Sequence, residues 1–365
     1  MRILKKGGLQ ANVFKIPIKE SLKLSMSPAR SVATIACFEL EHWMRPVIKK
    51  GLAGNKLLLF EEPLSQKNLL KAKNADALCV FIYSKITKEI LKNLPKVKVV
   101  TTMSTGFDHI DLKACQARKV QVCNVPFYGE NTVAEHTMAL ILAISRKIPQ
   151  SVERTRKGDF SLNELRGFDL KGKILGVVGT GHIGQNVIRY AKAFGMDVVA
   201  YDAFENPALA KTMGFGYVPF NSLLSKSDII TFHVPYNPKT HHMFNESSLK
   251  YLKKGAVIIN TSRGGVIQTE ALLHGLQSEV ISFAGLDVLE GECFVKEDSQ
   301  LLSSHFAKTC DLKTVLQDHL LLKHPRVLVT PHNAFNSQEA LQRILDTTVQ
   351  NINQFLKGKS QNLVK

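Results

Sequence analysis

The chain has 365 residues, 44% hydrophobic and 22% charged, a composition that suits an ordinary globular protein and excludes a disordered or fibrous one. That length exceeds what one hydrophobic core usually fills, so two domains are expected. The formal charge of +17 comes from dispersed lysines, often paired as in Lys49-Lys50 and Lys253-Lys254, without a basic block or interleaved aromatics. It reads as a solvated basic surface that attracts anionic substrates, not as a nucleic-acid interface.

No stretch approaches the ~18 consecutive apolar residues of a membrane span. The most apolar run, Met138 to Ile144, is stopped by Ser145 and Arg146. Met1-Arg2 is followed by only two apolar residues before Lys5-Lys6, which is no secretory signal, so a cytoplasmic protein without a membrane partner is expected. Six scattered cysteines (Cys37, Cys79, Cys115, Cys123, Cys293 and Cys310) include no C-x-x-C. They read as reduced thiols, and no metal site is expected.

Residues 1–30 lack a sustained period and carry seven Lys/Arg against one acid, Glu20, so they read as a poorly packed extension, with Met26 a candidate internal start. Short apolar runs then predict strands at Ser31 to Phe38, Leu57 to Phe60, Ala77 to Ile82 and Val97 to Thr101, with Lys/Leu-rich helical stretches between them. From Asn131 the apolar period becomes helical, predicting one long helix toward Arg156. A second strand–helix series follows, with strands at Lys173 to Val178, Asp197 to Tyr201, Ile229 to His233, Ala256 to Asn260, Phe283 to Asp287 and Val327 to Thr330. A helix is expected around Ala307 to Leu322, and a last one from Ser337 to Leu356. Alternation of this kind predicts parallel α/β sheets.

The strand ending at Val178 runs into Gly179-Thr-Gly181-His182-Ile183-Gly184 and then a helical segment from Gln185 to Phe194. A lone G-x-G-x-x-G is weak, but strand before and helix after make it a dinucleotide fingerprint. Gly179 permits the tight turn, Gly181 lets backbone approach the pyrophosphate, and Gly184 lets helix and strand touch. Asp202 ends the next strand, 18 residues after Gly184. An acid there accepts from the adenosine ribose hydroxyls and repels a 2′-phosphate, so the expected cofactor is NAD.

Three further segments stand at strand ends, where open α/β sheets bind ligands. They are Asn260-Thr261-Ser-Arg263-Gly-Gly265, Gly285-Leu-Asp287-Val-Leu-Glu290-Gly-Glu292 and Thr330-Pro-His332-Asn-Ala-Phe335. An arginine fork binds a carboxylate bidentately, an imidazolium donates a proton to a carbonyl oxygen, and a carboxylate behind the imidazole orients it. Arg263, Glu292 and His332 are therefore the candidate catalytic residues of a 2-keto-acid reductase. Taken singly, they also read as a helix-capping arginine, a solvated loop acid and a turn histidine.

From about Ser31 onward the chain resembles the D-isomer-specific 2-hydroxy-acid dehydrogenases. The likeness rests on Asn124-Val-Pro126, Ala134-Glu-His136, Val177 to Gly184, His233-Val234-Pro235, Thr261-Ser-Arg263-Gly264 and Pro331-His332. It implies that Arg263 binds substrate, Glu292 supports the base and His332 is the acid/base. It also implies that Asp287 lies beside the nicotinamide, with His182, Ile183, Thr261 and His233 to Pro235 in the cofactor site. Ser104-Thr105-Gly106 resembles the loop whose N–H groups hold the substrate carboxylate.

Asn333-Ala-Phe335, with the 40-residue interval from Glu292 to His332, resembles the D-lactate dehydrogenase branch, in which the phenylalanine closes over the substrate methyl. Two positions depart from that branch. Met103 stands where its members carry Arg, and Phe81, with Tyr83 nearby, replaces a substrate-facing Tyr. The expected fold is thus two Rossmann-like domains. A discontinuous flavodoxin-like substrate domain covers 31–127 plus 334–365, and an NAD-binding domain covers 128–333. The expected reaction joins D-lactate and pyruvate, with glyoxylate, hydroxypyruvate, phosphoglycerate or branched-chain keto acids as alternatives. A homodimer built on the helix near Thr132 is also implied. An NAD-sensing corepressor of the same fold is the alternative of another class.

Overall fold

The computed structural model describes residues 32–291 and 312–364. The expected N-terminal extension, Glu292 and the first part of the helix expected at Ala307 lie outside these residues. Two all-parallel sheets form the framework.

The first sheet has the order β2-β1-β3-β4-β5, with β1 Thr34–Cys37, β2 Lys56–Leu59, β3 Ala77–Val80, β4 Val99–Thr102 and β5 Gln121–Cys123. This is the doubly wound flavodoxin-like order. Side chains alternate between its faces. Ile35, Cys37, Ala77, Cys79 and Val99 pack with Met44 and Ile48 of α1 (Met44–Gly51) on one side. Ala36, Leu78, Val80 and Val100 pack with Ile90, Leu91 and Cys115 of α2 (Lys88–Lys92) and α3 (Leu112–Ala117) on the other. Thr87 and Asp111 cap these two helices, each accepting a first-turn N–H.

The chain then leaves through α4 (Glu130–Ser145), which packs on the second sheet. One long helix was expected here; two are found, because α5 (Ile148–Arg156) starts afresh after a left-handed Lys147 (φ 54°). Pro149 is the reason. It lacks an N–H and its ring would strike the carbonyl of Ser145, which accepts from Phe168 N instead at 2.9 Å.

The second sheet runs β12-β11-β10-β9-β6-β7-β8, the Rossmann order extended by one strand. Its strands are β6 Ile174–Val178, β7 Asp197–Tyr201, β8 Gly216–Tyr217, β9 Ile229–Phe232, β10 Ala256–Asn260, β11 Ile281–Leu286 and β12 Val327–Val329. Helices α4 and α6 (His182–Ala193) cover one face through Met138, Ile141, Val187 and Ile188. Helices α7 (Pro207–Met213), α8 (Phe220–Lys226), α9 (Glu246–Leu249), α10 (Thr269–Gln277) and α11 (Leu312–Lys323) complete this half, with Leu223, Leu272 and Leu321 on the opposite face. Strands β5 and β8 escaped the sequence reading because Gln121 interrupts the apolar run of the first and the second is only the pair Gly216–Tyr217.

The last helix, α12 (Gln338–Leu356), is capped by Ser337 and returns to the first sheet against β4 and α1. There Asn351 Nδ2 donates to the Asn124 carbonyl at 2.8 Å, and Val364 N donates to the Val122 carbonyl at 2.9 Å. No described helix is long and apolar enough to cross a membrane.

Candidate active site

The Gly-rich turn is built as its residues require. Gly179 has φ +100°, and a Cβ there would press on the His233–Val234 backbone at 2.8–3.0 Å. A Cβ at Gly184 would run into the Gly179 carbonyl, so both glycines are fixed by close backbone approach. Gly181 differs: nothing lies within 4 Å of its side-chain position, which opens into space at the N-terminus of α6. That opening, at the free N–H groups of a first helical turn, fits a diphosphate.

Asp202 makes contacts that the sequence did not suggest. Its Oδ2 accepts from the N–H and hydroxyl of Thr180 (2.7 and 2.9 Å), and its Oδ1 accepts from Phe204 N at 2.9 Å. The acid thus ties the Gly-rich turn to the end of β7 and keeps acceptor capacity for a ribose hydroxyl. His233 follows β9, with its Nε2 3.0 Å from the Thr231 hydroxyl. Burial holds its pKa down to about 3, so it is a neutral imidazole. The Thr261 hydroxyl meets that of Thr137 on α4 at 2.9 Å.

Two loops from different sheets meet at Arg263. The Gly106 side-chain position is filled by Arg263 Nη2, so the guanidinium lies against the Ser104–Gly106 loop. This loop is held from behind. Ser104 Oγ donates to the Gly106 carbonyl (2.6 Å), Thr105 Oγ1 to the Val125 carbonyl (2.9 Å) and Asn124 Nδ2 to the Thr105 carbonyl (2.9 Å). Thr102 Oγ1 joins Ser104 Oγ at 2.7 Å to His109 Nε2 at 3.1 Å, and burial lowers the His109 pKa to about 4.

Tyr128, which sequence reading missed, belongs here. Burial raises its pKa, while the Arg263 charge and a hydrogen bond to Thr105 pull the other way. No periodicity or motif marked it, because its place depends on two loops meeting. Phe127 reaches the Gly-rich turn as well, its ring 5.3 Å from that of His182.

His332 sits in a left-handed turn (φ 52°), a conformation that costs a non-glycine residue of order 1–3 kcal/mol and needs outside support. Asp287 provides it. Its carbonyl accepts from His332 N at 2.9 Å, and its carboxylate accepts from Asn333 N (2.8 Å), Ala334 N (2.9 Å) and Thr330 Oγ1 (2.5 Å). His136 Nε2 approaches the same carboxylate at 3.4 Å and Thr330 Oγ1 at 3.0 Å. Burial opposes ionisation of Asp287, but these hydrogen bonds outweigh it and its pKa is lowered. Asp287, expected beside the nicotinamide, is 1% exposed and organises the His332 turn.

That turn aims Phe335 inward. Its ring lies 6.4 Å from His332, 5.8 Å from Phe81 and 6.5 Å from Tyr128. Phe81 is placed by Glu39, whose carboxylate accepts from Phe81 N (2.9 Å) and Tyr83 N (2.8 Å). Phe81 and Phe335 line a half-open cavity of about 640 Å³, with Met103, Leu341 and Ile344 on its apolar side and Glu39, Glu41 and Glu61 on its polar side. No group of metal-ligating side chains occurs among the described residues.

A guanidinium facing a backbone loop, an imidazole beside an aromatic wall and an open Gly-rich turn are the parts of a hydride-transfer site on a keto acid. The family model for the D-isomer specific 2-hydroxyacid dehydrogenase NAD binding domain matches residues 138–334. The chain belongs to this family. This 2-hydroxyacid dehydrogenase is 34% identical to the D-lactate dehydrogenase of Escherichia coli over 84% of the chain and 91% of that protein. It is also 34% identical to the glyoxylate reductase of Thermococcus litoralis, over 80% and 83%. The solved structure of the pyruvate reductase of Chlamydomonas reinhardtii matches with a TM-score of 0.81 and 36% identity, over 90% of this chain and 98% of that one. The cofactor of this dehydrogenase is NAD.

Proposed function

We propose that the chain reduces pyruvate to D-lactate, or runs the reverse reaction, with Arg263, Glu292 and His332 as its catalytic residues. The observation that carries this reading is the meeting of Arg263 with the Ser104–Gly106 loop beside Tyr128. Arg263 holds the substrate carboxylate by its planar fork, and loop N–H groups share that charge. His332 donates the proton to the carbonyl oxygen and takes it back in oxidation. NADH, when bound, supplies the hydride. Glu292, outside the described residues, is assigned its supporting role from its sequence position. Gly179, Gly181, His182, Ile183, Gly184, Asp202, His233, Val234, Pro235 and Thr261 would hold the cofactor.

Phe335 and Phe81 limit the room beside the reacting carbon, which supports a methyl-sized side chain. The cavity that both rings line supports a second reading, in which its apolar side takes a longer substrate side chain. NADH oxidation over a panel from glyoxylate and pyruvate to branched-chain and aromatic 2-keto acids separates the two. A preference for pyruvate bears out the first, and a preference for the long acids overturns it.

The same reading assigns residues 31–127 and 334–365 to the substrate domain and 128–333 to the NAD domain. It also makes the protein a homodimer. Helix α5 buries none of its own residues, and Ile148, Val152, Phe160 and Leu162 stand exposed on it and the segment after it. Apolar exposure of that kind marks an association surface.

A further inference from the structure

Helix α11 falls within the long interval between Glu292 and His332, and the reaction outlined above makes no use of it. It nevertheless carries a completely buried acid, Asp318. Asp318 Oδ2 accepts from Gly291 N at 2.8 Å, and its Oδ1 lies 3.4 Å from Thr269 Oγ1. Gly291 is tight against it, since a Cβ there would meet Oδ2 at 2.8 Å. Burial pushes the Asp318 pKa up to about 6, with Glu290 adding to the rise and the Gly291 hydrogen bond opposing it. An acid kept in so unfavourable a place calls for a reason beyond packing.

The neighbouring contacts supply one. The Glu290 carboxylate accepts from Thr269 N (3.0 Å), Thr269 Oγ1 (2.9 Å) and His242 Nε2. The His242 backbone N–H donates to the Gly265 carbonyl at 2.8 Å. A Cβ at Gly264 would strike the Leu289 carbonyl, so the turn carrying Arg263 rests directly on the Leu289–Glu290 backbone. Gly291 is the next residue of that bed, and Asp318 is its anchor. We propose that Asp318 is a positioning residue for Arg263, acting through the Leu289–Gly291 backbone on which the Arg263–Gly265 turn lies. The proposal rests on the reading that Arg263 holds the substrate carboxylate.

The test compares the wild-type protein with Asp318→Leu, Asp318→Asn and Gly291→Ala. Asn keeps an oxygen that accepts from Gly291 N, Leu has none, and the alanine methyl presses on Asp318 Oδ2 at 2.8 Å while leaving the acid itself in place, with Val315 and Thr314 of the same helix at ordinary contact distance. Measurements are KM and kcat with the preferred keto acid, oxamate binding to the NADH complex by fluorescence, NADH affinity and Tm. Asp318→Leu and Gly291→Ala are expected to weaken keto-acid and oxamate binding by about 10- to 100-fold, as a displacement of ~1 Å at a site does. NADH affinity stays unchanged, and Asp318→Asn keeps near-wild-type KM. Where Asp318→Leu does not fold, Gly291→Ala carries the same comparison. Unchanged KM in folded variants overturns the proposal, as does an equal loss of NADH and oxamate affinity, which would mean general loosening. A wild-type protein that neither turns over any 2-keto acid nor binds oxamate overturns the functional reading instead.

Discussion

The Arg263 guanidinium occupies the space that a side chain at Gly106 would need. This contact joins the loop after β4 to the turn after β10, so the proposed substrate site draws on both sheets. Gly106→Ala should therefore displace the arginine. The expected outcome is a rise of about 10-fold or more in KM for the keto acid, with NADH affinity preserved. Arg263→Lys should behave alike, because lysine keeps the charge but lacks the planar fork. Steady-state kinetics with NADH titration check both, and an unchanged KM in Gly106→Ala would show that the contact does not set the arginine.

Asp202 holds Thr180 and faces the expected ribose position, so its removal has two effects. Asp202→Ala should narrow the preference for NADH over NADPH by removing the repulsion of a 2′-phosphate. It should also weaken NADH binding, because the Gly-rich turn loses its anchor. Kd values for both cofactors, by fluorescence, decide this. A variant that binds NADH normally would deny the anchoring role.

Acid should destabilise the protein through half-buried histidines that are neutral when folded. The His109 pKa is lowered to about 4 and that of His233 to about 3, both by burial, from an ordinary value of 6.5. Because the folded values lie below the unfolded one, the unfolded chain binds more protons once pH falls under 6.5. Stability from these groups is thus complete above that pH and declines toward the folded pKa values. For His109 the whole drop is roughly 3 kcal/mol, at about 1.36 kcal/mol per unit. Urea midpoints measured from pH 8 down to 4.5 should fall from about pH 6.5, and less steeply in His109→Asn. Parallel acid limbs in the two proteins would count against the assignment.

Phe160 and Leu162 are 79% and 82% exposed, and the proposed dimer would cover them. The double variant Phe160→Glu, Leu162→Glu should shift the protein from dimer to monomer in size-exclusion chromatography with light scattering. A wild-type protein that already runs as a monomer would remove the dimer from the reading.

What the sequence determined by itself was whatever depends on neighbours along the chain. Val177 to Gly184 announced strand, turn and helix, because the glycines are demanded by local backbone contacts, and the order of apolar runs predicted two parallel sheets. It also offered Arg263, Glu292 and His332 as candidates, since strand ends are where such sheets bind ligands. It overran the helix break at Lys147, because the apolar period continues through Pro149 while the backbone cannot. Only the tertiary structure decided that Gly106 meets Arg263, that Tyr128 joins them, and that Asp287 supports the His332 turn. Asp318 likewise reaches Gly291 only once helix α11 packs on helix α10. These pairings join residues far apart in the chain, and the physics that selects them, burial and the satisfaction of buried polar groups, acts only once the layers pack.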